Sequence, residues 1–361
     1  MAERESESLV PRRASTDLET SINGFDQPLA RYLTDLGLPT EDVLHPIAER
    51  RVIVNALQDA LSVLPMDERA KAYYLTKFTV AIAVGLFDGA LNYLWNETIN
   101  AIRRLVVQFD LQYFYSVVGG VNPKHKDLTD AEDLDLISDH DLLETCRRVG
   151  LISDVNFQRL EHINYMRNHA SAAHPNEQQI TGFEMLGWLS VCLRHAITAE
   201  PDHSVISIKR LMENVRTVQL PLDDVAVILS DVQRQPQQRI DDLLWTLFGM
   251  FTDPRQNAQT KSNIANLAKG IWDASSEDRK YEIGTKFGTH RKNGDVARKE
   301  AAQEFLEIVN GLNYKDEDSL AGELLEKLET LRRVHFSLDN FYNEHPHAKA
   351  LKSSLPPSGE V

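Results

Sequence analysis

Cysteine is nearly absent: Cys146 and Cys192 are the two in 361 residues. They sit in apolar-patterned stretches with no CxxC spacing, so neither a disulfide framework nor a zinc site fits, and reduced, buried thiols are expected. Long hydrophobic runs are missing too. No stretch approaches the roughly 20 apolar residues that a membrane-spanning helix needs. Residues Met1 to Phe25 are polar, charged and rich in Ser and Glu, without the basic-then-apolar order of a secretory leader. The expectation is a soluble, cytoplasmic protein with no membrane partner. Glycine-rich phosphate loops are lacking, because Gly182, Gly187, Gly284 and Gly288 match neither phosphate-binding spacing, and no Gly-x-Ser-x-Gly elbow occurs. Positive charge is in deficit: 39 Lys and Arg against 54 Asp and Glu give a net charge of -15. That balance excludes a protein that coats nucleic acid indiscriminately, a mode that needs many cations to release counterions. It leaves room for a local basic cleft.

What is present suffices for a real core. At 42% hydrophobic and 26% charged residues, the chain is expected to be all-α and to divide into two folded parts. Residues 1–27 read as a mobile tail, 28–65 as a helical extension, 66–200 as a helical bundle, 201–350 as a C-terminal helical domain and 351–361 as a second tail. Helices are predicted from Pro28 to Leu36, stopped by Gly37, and from Thr40 to Val63, with Pro46 at the start of the regular part. The strongest amphipathic pattern follows: Val84, Phe87, Leu91, Leu94, Trp95, Thr98, Ile102, Leu105 and Phe109 recur at three- and four-residue steps. Asp88, Asn92, Asn96, Asn100 and Arg103 form a polar stripe on the same helix, and Asp88 and Asn92 border its apolar edge. The acidic run Asp127 to Asp141 reads as a connection, since the ordered Asp/Asn/Gly positions of a calcium loop are missing.

A helix from Asp139 to Val149 should end at Gly150, and the next should be capped by Ser153 or Asp154. Val155, Phe157, Leu160, Ile163 and Met166 are its expected buried side. A helix from Ile180 to Ala199 follows. The C-terminal part predicts a short helix within Asp202 to Pro221, then helices over Asp223 to Gln233, Arg239 to Phe251, Asn257 to Ser275, Arg298 to Leu312 and Ser319 to Tyr342. Asp278 to Glu300 is locally basic through Arg279, Lys280, Lys286, Arg291, Lys292, Arg298 and Lys299. A solvated loop is the plain expectation there, and RNA contact through Arg291 and Lys292 the alternative. His345-Pro346-His347 lacks a third ligand and reads as a surface loop rather than a metal site.

The chemistry-bearing stretch is Tyr165-Met166-Arg167-Asn168-His169-Ala170-Ser171-Ala172-Ala173-His174-Pro175. Seven residues on a helix make nearly two turns, so a continuous helix would return Arg167 and His174 to one face. Pro175 disfavours helix at the residue before it, which puts His174 at a helix end. A guanidinium is a fixed positive fork suited to phosphate, and an imidazole is the side chain best placed to move a proton near neutral pH. The plain alternative is that Arg167 caps a helix C-terminus and His174 hydrogen-bonds a carbonyl. His169 falls on another face and is expected to be exposed or satisfied in the core.

The run from Gly150-Leu151-Ile152 through Leu160, Ile163, Arg167-Asn168 and His174-Pro175 resembles the catalytic segment of the HEPN superfamily, the higher eukaryotes and prokaryotes nucleotide-binding domains. That signature is an arginine, usually followed by a polar residue, and a histidine after four to six intervening positions. The resemblance covers about Met66 to Ala199, with Phe78 to Phe109 as the long first helix. It implies an antiparallel bundle of four to five helices that pairs with a second copy, so that two Arg/His motifs face each other. It also implies metal-independent endoribonuclease activity without a cofactor. Many members act as toxins or effectors in prokaryotic defence against phage, with a neutralising or activating protein partner; others are catalytically inert binding or regulatory modules. Carried onto this chain, the catalytic set is Arg167, Asn168 and His174, and the substrate is RNA.

Overall fold

A buried arginine ties the first helices together. The computed structural model describes residues 13–170, 179–201, 203–337 and 340–352. Helix α1 (Arg13–Asp35) precedes α2 (Ile47–Leu61), whose Arg50 is 2% exposed and donates from Nη1 to Asp26 Oδ1 at 2.9 Å. The expected tail therefore gives way to helix from Arg13 onward. An anchor 24 residues distant from Asp26 leaves no mark on a local polar pattern. Residues 1–12 lie outside the described residues.

A short turn of helix, α3 (Met66–Arg69), leads into α4 (Tyr73–Val84) and α5 (Phe87–Phe109). The single long helix expected from Phe78 is broken here. Gly85 adopts φ +91°, a left-handed conformation that side chains resist. A Cβ added there would lie 2.5 Å from Arg50 Nε. The Gly85 carbonyl accepts His45 N at 2.9 Å, and the His45 ring stacks on Phe87 at 4.2 Å. Helices α4 and α5 thus form a hairpin, and α5 runs through the core with Phe87, Leu91, Leu94, Trp95, Ile102 and Val106 buried. Each such side chain contributes about 1.5–3 kcal/mol by leaving water.

Helix α6 (Leu111–Val121) is followed by 3-10 turns and then α7 (Asp139–Val149). The acidic run is a connection, as its sequence suggested. Ser138 caps α7 by accepting Asp141 N–H at 3.2 Å, and Gly150 ends it with φ +86°. Helix α8 (Asp154–Ala170) buries Phe157, Leu160 and Ile163, with Ser153 accepting Asn156 N–H at 3.3 Å. Val155, expected on the buried side, is 61% exposed; it lies two residues before buried Phe157, about 200° around the helix, and so falls on the opposite face. Helix α9 (Gly182–Cys192) opens with a capping box between Thr181 and Glu184 and continues as a π-turn, Leu193–Ile197.

These elements form one compact unit; a second contains Tyr115–Gly120 of α6 and the chain from His203. In it, α10 (His203–Thr217), α11 (Leu222–Gln233), α12 (Gln237–Thr252), α13 (Ala258–Ala274), α14 (Glu277–Lys292) and α15 (Val296–Ile308) precede α16 (Glu317–His335) and α17 (Asn340–Lys352). The core is aromatic: Phe305 meets Phe248 and Phe251 edge-on at 5.2 and 5.5 Å. Asp278 to Glu300 is not a loop but most of α14, a turn and the start of α15, because Ile283 and Phe287 bury one face and Ser276 and Asp295 supply caps. Gly284 lets α14 approach the Tyr314 carbonyl, which a Cβ would strike at 1.6 Å. His345-Pro346-His347 is likewise helical, inside α17. The helix predicted to run from Ser319 to Tyr342 ends at His335, and α17 packs back on α16. Among the described residues the regular structure is helical and no strand occurs.

Candidate functional site

Arg167 lies in the last turn of α8, where a cation is favoured by the helix dipole. Its Nη1 donates to Asn168 Oδ1 at 3.0 Å and to Asp139 Oδ2 at 3.3 Å. Asp139 begins α7, where an anion is favoured for the same reason. That carboxylate oxygen also accepts the indole N–H of fully buried Trp95 at 2.7 Å. Asn168 in turn donates to Asn164 at 3.4 Å. Of the expected catalytic set, Arg167 and Asn168 are therefore adjacent and hydrogen-bonded, and His174 lies outside the described residues. His169 is exposed, with its ring 4.3 Å from that of Tyr165.

The guanidinium of Arg167 opens on a polar-walled cleft of about 210 Å³, lined by Tyr74 of α4, Trp95, Asn96, Ile99, Asn100 and Arg103 of α5, and Asp139 of α7. Small-molecule pockets run from about 300 Å³ upward, so this open cleft suits a phosphate with the edge of one ring rather than a large ligand. Arg103 and Arg167 keep 24% and 27% of their side chains exposed. Arg103 Nη1 pairs with Asp135 at 2.8 Å, and Asp135 is itself well exposed. Two cations, two amides and the Asp139 carboxylate thus face one small space. The sequence marks Asn96, Asn100 and Arg103 as a polar stripe, but nothing local says that this stretch, rather than its beginning, meets Arg167. Asp88 and Asn92, which border the apolar edge, serve their own helix: Asp88 accepts Gly89 N–H and Asn92 donates to the Asp88 carbonyl. The sequence marks Trp95 as part of an apolar stripe and Asp139 as a helix start, and it singles out none of Tyr74, Trp95 and Asp139 as a site residue.

Arg291 and Lys292 are in the other unit, in the last turn of α14. They face the acidic first turn of α16: Arg291 Nη2 lies 3.3 Å from Asp316 Oδ1, and Lys292 Nζ lies 3.2 Å from Asp318 Oδ2. A basic helix end thus meets an acidic helix start, and Asp316 also caps α16.

Other titratable groups have structural explanations. Both thiols are fully buried, and burial pushes Cys192 up to about 12 and raises Cys146 as well, so neither is a nucleophile at neutral pH. Burial alone would raise the Asp141 carboxyl, but hydrogen bonds from His125 at 2.9 Å, Asn122 at 3.0 Å and Ser138 bring it below its ordinary value. His195 is lowered by burial and by the neighbouring Arg159 and Arg194. No group of His, Cys, Asp and Glu side chains suited to a metal ion occurs among the described residues, and none of the described helices is long and apolar enough to cross a membrane. No family model, no curated protein and no solved structure matches the chain.

Proposed function

We propose that the chain is a metal-independent endoribonuclease of HEPN type, acting through Arg167, Asn168 and His174. In this reading a ribose 2′-hydroxyl attacks the adjacent phosphorus and the bond to the 5′-oxygen breaks. One imidazole takes the 2′-hydroxyl proton and a second gives a proton to the leaving oxygen. Each chain supplies one His174, so two copies pair to provide both. Arg167 holds the phosphate as negative charge develops on its oxygens, and Asn168 orients the guanidinium, to which it is already bonded at 3.0 Å. The observation that carries the reading is the placement of the Arg167 guanidinium on a small cleft beside a second arginine, Arg103. Two forks on one cavity form a natural phosphate seat. By resemblance, such an enzyme serves as a toxin or effector in prokaryotic defence.

A second reading, a catalytically inert HEPN-like binding or regulatory module, draws support from Asp139. Its carboxylate already engages Arg167, and the chain as a whole is strongly acidic. End-group analysis after incubation with RNA separates the two. The endoribonuclease leaves 2′,3′-cyclic phosphate and 5′-hydroxyl ends, and spares a substrate with 2′-deoxyribose at the scissile position. Intact RNA under all conditions supports the inert module.

A further inference from the structure

The Arg167 cleft contains polar groups for which the bond-breaking step has no use. Asn96, Asn100 and Arg103 are spaced four and three residues apart on α5, so they stack along one helix face. The amides of Asn96 and Asn100 are half-buried, and neither has a hydrogen-bond partner among the described residues; the same holds for the Tyr74 hydroxyl. Arg103 Nε is buried and also lacks a partner there, while Nη1 of the same fork pairs with Asp135. Half-buried polar groups that the protein does not bond are met by water or by a bound molecule. Side-chain donors and acceptors that face one cavity and are not used by the protein are free to exchange water for a ligand with matching groups.

The composition of the set identifies the ligand class. A bare phosphate calls for cations and N–H donors alone, and the two arginines would suffice. Two neutral amides add paired donors and acceptors, the groups that read the edge of a nucleobase. Tyr74 adds an aromatic ring at the wall, and aromatic rings support bases by stacking whatever their identity. A cleft of about 210 Å³ admits the edge of one such ring and excludes a duplex. Resting on the endoribonuclease reading, we propose that this cleft is a nucleotide-recognition subsite for single-stranded RNA. Arg103 and Arg167 grip a phosphate, while Asn96 and Asn100 read the edge of the adjacent unpaired base against Tyr74. The subsite makes the protein selective for sequence as well as for strandedness.

Binding of 2′-O-methyl decamers of A, C and U, which cannot be cut because the nucleophile is blocked, tests this directly. The wild-type chain should discriminate the best from the worst decamer by about tenfold or more. Asn96→Ala with Asn100→Ala should compress that spread to within about twofold. Arg103→Ala should weaken all three decamers alike and lower the slope of log affinity against log salt by about one. If the double variant loses helicity, Asn100→Ser must shift the base preference by itself. Equal wild-type affinities for the three decamers, or an Arg103→Ala variant that binds as wild type does, overturns the subsite. Unmodified decamers in EDTA separate this proposal from the one beneath it. Decamers bound with the predicted pattern yet left uncut remove the endoribonuclease and leave the subsite. Cutting by the double amide variant with unchanged sequence preference removes the subsite and leaves the endoribonuclease.

Discussion

Asp139 and Arg167 begin and end two successive helices and meet at 3.3 Å, with the buried indole of Trp95 on the same carboxylate oxygen. The carboxylate therefore has two separable duties, one electrostatic and one steric. Asp139→Asn removes the charge but keeps an oxygen for the indole. Because both partners of the ion pair remain about a quarter exposed, its loss should cost no more than about 1 kcal/mol. Asp139→Ala also leaves the Trp95 N–H without its acceptor and should cost about 1–3 kcal/mol. Urea unfolding monitored by tryptophan fluorescence distinguishes the two; equal losses would mean that the indole bond contributes nothing.

Gly85→Ala should destabilise the first unit by about 1–3 kcal/mol, since φ +91° disfavours any side chain and the new methyl group meets the Arg50 guanidinium. Differential scanning calorimetry of wild type and variant checks it. A variant as stable as wild type would show that the turn between α4 and α5 relaxes freely.

The buried thiols give stability a sign in alkali. A Cys192 pKa raised in the folded chain to about 12, against about 8.5 for a free thiol, means that the folded state holds its proton longer. The contribution is complete below the unfolded pKa and is lost as pH rises through the folded value. Stability should decline from about pH 8.5 up to about 12, and Cys192→Ala should decline less steeply over the same range. A thiol reagent at pH 8 should react with neither cysteine until the chain unfolds. Rapid labelling under native conditions would contradict their burial.

Charge reversal at Arg291 and Lys292 sets like charges against Asp316 and Asp318 and opposes the dipole at the end of α14. It should lower the stability of the second unit by up to about 1–2 kcal/mol. Chemical denaturation measures that effect, and RNA affinity measured on the same variant decides whether these cations also contact substrate. A variant with unchanged stability would show that the pairs are fully screened.

Where the sequence announces structure, it does so through caps and breaks. Ser138 and Gly150 bracket α7, Pro46 and Pro236 precede α2 and α12, and Asn257 caps α13 by accepting Thr260 N–H. These signals are local, so they can be read in one dimension. What fails to show locally is set by partners distant in sequence. Asp26 ties α1 to α2 through Arg50, and Gly85 breaks the α4–α5 run where Arg50 packs against it. Arg291 looks uncompensated until Asp316, 25 residues on, comes beside it. The site divides in the same way. Arg167 and Asn168 stand out by type and spacing, whereas Asp139, Trp95 and Tyr74 join them only when α4, α5, α7 and α8 assemble.

As proposed, Arg167 and His174 cut RNA without a metal, histidine handling the protons and arginine the charge. The most direct measurement is single-turnover cleavage of an unstructured RNA in excess EDTA by the wild-type chain, Arg167→Lys and His174→Ala, each verified as helical. Wild-type cutting should survive chelation, weaken strongly when the fork becomes a point charge, and disappear without the imidazole. Wild-type activity that vanishes in EDTA and returns with Mg²⁺, or a His174→Ala chain that cuts at the normal rate, would contradict the proposal.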